Sequence, residues 1–257
     1  MKRVRFRDSA GNVRGGHWTV EDGEPKVTAA AGPYGRIAFG DEMYSPDEVD
    51  ILPPCEPTKI VCIGLNYVDH AEETDSEIPD RPMLFLKAPN SVASHGSNLT
   101  LLSGKERIDY EAELGVVIGE QCKNVSESGA MDVVAGFTCV NDISNRDDQD
   151  VEQNWVRGKA FDNSAPIGPV VATPEHVPED ASIELRVNGE TKQSSSRDNL
   201  IFSIPELIAE ITDYMTLEPG DVISTGTPAG VGPLSSGDEV EVEIEGIGTL
   251  KHSVKIP

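Results

Sequence analysis

The chain has 257 residues, a length that supports one large domain or one domain with a small addition. Acidic residues number 45 and basic residues 21, so the formal net charge at pH 7 is −24. Nucleic acids and anionic membrane surfaces are themselves polyanions, and this charge therefore argues against both as binding partners.

The acidic side chains are spread along the whole chain rather than concentrated in one block. This distribution is typical of a surface adapted to high salt, where dissolved ions screen the repulsion between like charges. The sequence therefore predicts a halophilic source and a protein that loses stability at low ionic strength. The melting temperature should rise with KCl concentration, and a melting temperature independent of salt would contradict this interpretation.

The chain has four cysteines, Cys55, Cys62, Cys122 and Cys139, which form no CxxC pair and lie near no histidine with zinc-site spacing. They are predicted to be free thiols in a reducing compartment, with a catalytic cysteine as the alternative. The basic residues at the start are not followed by the apolar stretch of a secretory signal, and no apolar run approaches membrane-spanning length. We therefore expect a cytoplasmic protein.

Residues 1–57 are predicted to form a small β-rich appendage. Val4 and Phe6 alternate with basic residues, as in a half-buried strand, and a turn sequence follows at residues 9–12. The prolines between Leu52 and Pro57 disfavour both a helix and a central strand, so they mark a boundary. The second and larger domain is placed at residues 58–257.

The larger domain is predicted to be rich in strands. Short apolar runs separated by Gly, Pro, Asn and Asp occur at residues 59–64, 169–172, 183–187, 221–224 and 240–244. The dipeptide Asn188-Gly189 predicts a tight hairpin turn.

Helices are fewer. One is predicted from Ile204 to Met215, with Ser203 as its cap, and a shorter one at residues 126–134. Because the regular βα alternation of a Rossmann sheet is missing, we predict a β-rich α+β fold.

The segment from Asp109 to Gly119 (DYEAELGVVIG) combines carboxylates with an apolar run that predicts a buried strand. Side chains alternate along a strand, so Glu111 and Glu113 point to the same side, with Asp109 behind them. Neighbouring carboxylates at a buried strand repel each other unless a positive charge lies between them, and Mg²⁺ prefers such oxygen ligands. The segment therefore indicates a divalent metal site; a solvated strand face in a very acidic protein is the alternative.

Two further segments carry candidate catalytic groups. His70 and Glu73 become neighbours if residues 66–73 are helical, and a carboxylate beside an imidazole suits a general base that acts on water. Asp142 follows an apolar run, at a position that suits a third metal ligand. The alternatives are an incidental pair on a surface helix and an Asp that forms a turn or a helix cap.

Further polar residues and a glycine-rich segment suit contacts with a substrate. Arg146 and Gln149 suit the orientation of a substrate carboxylate or a metal-bound water, and Lys159 suits the stabilisation of an oxyanion, although a surface salt bridge is its alternative. The glycine-rich residues 224–232 lack the lysine of a phosphate-binding loop. Their glycines let backbone N–H groups approach a substrate closely, or else form an ordinary tight turn.

Six segments in this order resemble the fumarylacetoacetate hydrolase superfamily: NYVDHAEE, FLKAP, DYEAELGVVIG, GFTCVNDISNRDDQ, RGKAFDNSAPIGP and TGTPAGVG. The resemblance covers roughly residues 58–250. It implies a mixed β-roll with peripheral helices, usually assembled as a homodimer, and the short N-terminal appendage is typical of the smaller members. Members of this size are often labelled 2-hydroxyhepta-2,4-diene-1,7-dioate isomerase or acylpyruvate hydrolase.

The resemblance also implies roles for individual residues. It implies Mg²⁺ or Mn²⁺ held by three metal ligands, Glu111, Glu113 and Asp142. It implies catalytic roles for the water-activating pair His70 and Glu73, for the essential lysine Lys159, and for Gln149. It implies substrate binding by Asn66, Arg146, Gly226 and Thr227.

The activity implied is that of a metal-dependent enzyme acting on a small 2-oxo acid through a metal-bound enolate. The intact His70–Glu73 pair favours hydrolysis of a C–C bond in an acylpyruvate, or decarboxylation of an oxo acid, because isomerisation needs no activated water. Three alternatives remain open: isomerisation of the dienedioate, dehydration of a 2-keto-3-deoxy sugar acid, and a non-catalytic protein that binds a metal and an oxo acid. Substrate specificity is expected in residues 74–81, 91–103 and 188–199.

Overall fold

The computed structural model describes residues 1–21, 23–30 and 39–257, and strands dominate it. The strands are β1 (Lys2–Arg7), β2 (Val13–Glu21), β3 (Glu24–Ala30), β4 (Phe39–Tyr44), β5 (Asp50–Leu52), β6 (Ile60–Ile63), β7 (Leu84–Lys87), β8 (Val92–Ala93), β9 (Asn98–Thr100), β10 (Ile108–Tyr110), β11 (Ala112–Ile118), β12 (Val134–Asn141), β13 (Ser144–Asn145), β14 (Ala165–Ala172), β15 (Ser182–Val187), β16 (Glu190–Ser196), β17 (Val222–Ser224), β18 (Gly232–Pro233), β19 (Glu239–Ile244) and β20 (Gly248–Lys255).

The helices are short and lie outside the sheets. The α-helices are α1 (Val68–Glu73), α2 (Arg146–Gln149), α3 (Val156–Lys159) and α4 (Ile204–Tyr214). The 3₁₀ helices are Pro46–Glu48, Pro89–Ser91, Glu127–Val133, Pro174–His176 and Arg197–Asn199. These elements confirm the predicted β-rich α+β fold with peripheral helices.

The main sheet of the described residues has the strand order β4-β3-β2-β1-β14-β12-β11-β17-β6-β7, with β5 beside β1 and β8 beside β14. A second sheet has the order β16-β15-β19-β20-β9, and a small third sheet has the order β13-β10-β18. Most neighbouring strands are antiparallel, but β17 and β6, β14 and β8, and β20 and β9 are parallel. The sheets are therefore mixed, as predicted.

The N-terminal strands continue the main sheet. Lys2 of β1 pairs with Ala172 of β14, and β2, β3 and β4 follow as an antiparallel meander. Val4 and Phe6 are buried in the same apolar core as Leu250 of β20. The last strand before the proline-rich segment, β5, pairs with β1. The division of the chain at residue 57 stays a prediction.

Local sequence accounts for several elements. The Ser203 hydroxyl accepts a hydrogen bond from the Glu206 N–H, and the Glu206 carboxylate accepts one from the Ser203 N–H, so a capping box starts α4 as predicted. Asn188 and Gly189 have φ values of 52° and 79°, the positive values that the predicted two-residue turn between β15 and β16 requires. The short helix predicted at residues 126–134 is a 3₁₀ helix, the form that short helical segments commonly take.

The cysteines are free thiols, as predicted. Burial raises the pKa of the Cys55 and Cys139 thiols to about 12, so neither is a thiolate nucleophile at neutral pH. Among the residues that the structure describes, no helix is long and apolar enough to cross a membrane.

Candidate metal centre and catalytic cavity

Three buried carboxylates meet where β11 begins and β12 ends. Glu111, Glu113 and Asp142 each offer one oxygen, and these oxygens all lie within 4.8 Å of one another. Pairing of the two antiparallel strands brings them together, because Ala112 lies opposite Asn141 and the Asp142 N–H donates to the Glu111 carbonyl at 2.9 Å. Glu111, just before β11, and Glu113, on β11, therefore lie close together, and Asp142 joins them from the position directly after β12.

Two buried lysines lie against these carboxylates. Lys159 Nζ donates to Glu111 Oε2 and to Asp142 Oδ2, each at 2.8 Å. Lys87 Nζ lies 2.7 Å from Asp142 Oδ1 and also donates to the carbonyl oxygens of Ile143 and Ser164. No role was predicted for Lys87 from the sequence. The available signal was a lysine ending the apolar strand Leu84–Lys87, where its charge is fully buried.

The charges around the carboxylates favour a cation between them. Burial opposes ionisation of Glu111, but Lys159 and Arg146 outweigh it and lower the pKa of this carboxyl to about 2. Glu113 has the opposite shift: burial and the negative charges of Asp142 and Glu111 raise its pKa well above the ordinary value. The centre therefore lacks positive charge on the Glu113 side.

The contacts of Glu113 leave one of its oxygens available. The Ser224 hydroxyl and the Gly226 N–H both donate to Oε2. Oε1 receives no hydrogen bond from any described residue. An all-oxygen donor set of three buried carboxylates with an excess of negative charge fits a hard divalent cation such as Mg²⁺ or Mn²⁺.

Arg146 connects this centre to the surrounding polar groups. Its Nε donates to Asp109 at 2.9 Å, its Nη1 donates to the Gln149 side-chain oxygen at 2.6 Å, and its Nη2 donates to Glu111. Asp109 therefore does not extend the acidic cluster but binds the guanidinium groups of Arg146 and Arg107. The Nε2 amide of Gln149 has no hydrogen-bond partner within the described ranges, so it remains available to a substrate.

His70 and Glu73 lie on α1, as the predicted helical spacing requires. His70 Nδ1 lies 3.3 Å from Glu73 Oε2, and the Gly230 N–H donates to both oxygens of Glu73. The contact assigns the ring proton to Nδ1, so the lone pair is at Nε2. The glycine-rich loop thus holds the carboxylate that orients the imidazole.

A cavity of about 210 Å³ has residues of both the acidic cluster and the His70–Glu73 pair in its wall. Its wall contains five of the predicted site residues: His70, Glu111, Arg146, Gln149 and Lys159. The apolar part of the wall comes from Leu65, Met83, Phe85 and Trp155, and Thr74 and Ser76 add hydroxyl groups. Two larger cavities of about 410 Å³ lie near β5, but the described residues around them include no comparable acidic cluster.

Three predicted substrate-binding residues lie outside this wall. Asn66 donates to the Thr225 carbonyl at 2.7 Å and accepts from the Phe202 N–H at 2.7 Å, so its amide connects two loops. Thr227 accepts from Gln193, and Gly226 donates to Glu113. These contacts position the loop beside the acidic cluster, and substrate binding by the three residues stays a prediction.

Gln193 is a polar contact that sequence reasoning missed. Its side-chain oxygen accepts from the Ala112 N–H at 2.8 Å, and its amide nitrogen donates to Thr227 and to the Pro228 carbonyl. It thus joins the hairpin strand β16 to the start of β11 and to the glycine-rich loop. No local pattern distinguishes it, because its partners are 34 to 81 residues away in the sequence.

Gly226 provides a test of the loop. A Cβ at this position would lie 2.8 Å from Asn66 Cβ, and φ is +98°. Gly237 has the same φ, +99°, but nothing within 4 Å of such a Cβ. Gly237→Ala should therefore cost only backbone strain, about 1–2 kcal/mol, whereas Gly226→Ala adds overpacking of about 1–3 kcal/mol.

Thermal unfolding of both variants, together with Mn²⁺ titration, checks this expectation. The Gly226 variant should melt at the lower temperature and bind Mn²⁺ more weakly, because its backbone N–H moves away from Glu113. Equal effects of the two substitutions would contradict the close packing against Asn66.

Comparison with known proteins places this site in a family. Residues 59–255 match the family described as "Fumarylacetoacetate (FAA) hydrolase C-terminal". The oxaloacetate tautomerase YisK of Bacillus subtilis is 45% identical over 232 residues, which are 84% of this chain and 76% of that protein.

Solved structures support the same family assignment. The 2-hydroxyhepta-2,4-diene-1,7-dioate isomerase from Mycobacterium marinum superposes with a TM-score of 0.90 at 34% identity, over 100% of this chain and 98% of its own. Fumarylpyruvate hydrolase from Pseudomonas aeruginosa, solved in complex with Mn²⁺ and pyruvate, superposes with a TM-score of 0.74 at 31% identity, over 85% of this chain and 93% of its own. The chain therefore belongs to the fumarylacetoacetate hydrolase family of enzymes.

Proposed function

We propose that the protein hydrolyses a C–C bond in a 2-oxo acid of acylpyruvate type with the help of Mg²⁺ or Mn²⁺. The observation that carries this proposal is the shared cavity, whose wall contains both the His70 imidazole and the Glu111 carboxylate of the acidic centre. On this proposal, the base for water and the site for a 2-oxo carboxylate share one cavity.

The cation would be held by Glu111, Glu113 and Asp142. When bound, it supplies a Lewis acid for the carboxylate and keto oxygens of the substrate. The two lysines carry two positive charges against the three negative charges of these carboxylates. Arg146 adds one positive charge beside Glu111, and its partner Asp109 adds one negative charge, so these two cancel. A divalent cation would then bring the centre to a net charge of about +1, which suits one substrate carboxylate.

The chain's own groups perform the proton transfers. His70 Nε2 removes a proton from water, and Glu73 stabilises the imidazolium through Nδ1–H. The hydroxide adds to the distal carbonyl carbon, and the C–C bond between this carbon and the methylene group breaks. The products are a carboxylic acid and a pyruvate enolate, which takes the proton back at carbon from the His70 imidazolium. The Gln149 amide, in the same cavity wall, would orient the substrate.

Keto–enol tautomerisation of oxaloacetate is the second candidate. The named activity of YisK, which is 45% identical to this chain, favours it. The same His70 base would then move a proton between carbon and oxygen of the substrate, and no water would be consumed.

A turnover screen in high-salt buffer distinguishes the candidates. Acylpyruvates, oxaloacetate, a hydroxyhepta-dienedioate and 2-keto-3-deoxy sugar acids are each incubated with enzyme and Mg²⁺ or Mn²⁺, with and without EDTA. We expect EDTA-sensitive release of pyruvate from acylpyruvates. Tautomerisation of oxaloacetate without product release would favour the second candidate. Release of CO₂, isomerisation of the diene or dehydration of the sugar acids would each point to that activity, and Mn²⁺ binding with no turnover would favour a binding protein.

A further inference from the structure

The backbone of Glu111 is held at two points. Its N–H donates to the Asn141 side-chain oxygen at 2.9 Å, and its carbonyl accepts from the N–H of Asp142, the next residue after Asn141. Because Glu111 and Asp142 supply two of the three carboxylates, these two contacts set the relative position of two metal ligands.

The Asn141 amide itself is held from the other sheet. Its Nδ2 lies 2.9 Å from Nε2 of His252, which is on β20 of the second sheet, and both side chains are buried. No role was predicted for His252 from the sequence, and His252 does not line the catalytic cavity.

The hydrogen-bond partners of Asn141 determine which atom donates and which accepts in its contact with His252. The Glu111 N–H is a donor, so the Asn141 oxygen must face it and the Asn141 NH₂ group must face His252. His252 Nε2 therefore accepts, which requires a neutral ring with its proton on Nδ1. Burial lowers the pKa of His252 to about 4, in agreement with a neutral ring.

We propose that His252 is a positioning residue of the metal centre, because its Nε2 holds the Asn141 amide in the one orientation that fixes the Glu111 backbone beside Asp142. The inference rests on the metal site of the proposed function. It goes beyond that function by assigning control of the metal ligands to a histidine on a different sheet, outside the cavity.

The test measures Mn²⁺ affinity of the full-length protein after chelator treatment, by electron paramagnetic resonance titration. His252→Leu removes the acceptor, whereas His252→Gln keeps a side-chain oxygen that can accept from Asn141. We expect the Leu variant to bind Mn²⁺ about 10–100-fold more weakly and the Gln variant to bind within about threefold of the wild type. Val254→Ala, which empties a buried position on the same strand, is the control: it should lower the melting temperature and leave Mn²⁺ affinity unchanged.

A double-mutant cycle with Asn141→Ala tests the route of the effect. If His252 acts through Asn141, the double variant should bind Mn²⁺ no more weakly than Asn141→Ala alone. Wild-type Mn²⁺ affinity in a folded Leu variant, or additive losses in the double variant, would overturn the proposal. Should the Leu variant not fold, His252→Asn, whose side chain is shorter, takes its place with the same expectation.

Because the titration needs no substrate, its result is separate from that of the turnover screen. Mn²⁺ binding without turnover of any oxo acid would count against the proposed function and leave this inference standing. A wild-type protein that binds no Mn²⁺ would overturn both.

Discussion

Glu113→Gln is expected to remove Mn²⁺ binding and turnover without destabilising the metal-free protein. The substitution deletes the carboxylate whose Oε1 faces no donor of the described chain, while the amide oxygen can still accept from Ser224 and Gly226. Loss of a direct ligand should exceed the effect of losing a supporting contact, so we expect affinity to fall by more than about 100-fold.

The stability of the metal-free variant makes this prediction specific. Burial and two neighbouring carboxylates raise the pKa of Glu113, so its ionised form is unfavourable without a cation. A neutral amide avoids that penalty, and the melting temperature should stay at or above that of the wild type. Glu120→Gln, at an exposed position two residues beyond the end of β11, is the matched control and should change neither property. Retained Mn²⁺ affinity in the Glu113 variant would contradict the ligand assignment.

His70→Asn should lower kcat by about 10²–10⁴-fold, the range for loss of a general base, and leave Mn²⁺ affinity unchanged. The reason is geometric, since His70 lies on the cavity wall and contacts Glu73 rather than any of the three ligand carboxylates. Steady-state kinetics on the substrate found in the screen, combined with Mn²⁺ titration, measures both properties.

His176→Asn is the control for this substitution, because His176 is exposed and contacts the N-terminal amine instead of the cavity. Its kcat should match that of the wild type. If His70→Asn retained kcat, the water-activating role of the pair would be wrong, and the acidic centre alone would have to account for turnover.

The sequence predicted those parts of the site that follow from local patterns. Strand alternation predicted that Glu111 and Glu113 share one side, and both belong to the acidic cluster although Glu111 lies just before β11. The i, i+3 spacing on α1 placed His70 beside Glu73. Asp109 was expected behind the carboxylates, but it binds Arg146 because it belongs to β10, a strand separate from β11.

Contacts between distant segments could not be predicted in this way. His252 is 111 residues from Asn141, and Gln193 is 81 residues from Ala112, so no local period connects them. The pairing of β1 with β14 likewise joins segments that are far apart in the sequence. Lys87 was missed for a different reason: a lysine that ends a short apolar strand is equally typical of a surface position.

The two lysines in the acidic centre would have a consequence for how the proposed cation is acquired. Lys87 and Lys159 hold Asp142 and Glu111 in place by themselves, so the ligands are already organised when a cation arrives. The same ammonium groups would compete with an incoming cation for carboxylate oxygens and so lower its affinity. Since carboxylate ligands suit both Mg²⁺ and Mn²⁺, the occupant of the proposed site should follow the relative availability of the two ions and exchange as that availability changes.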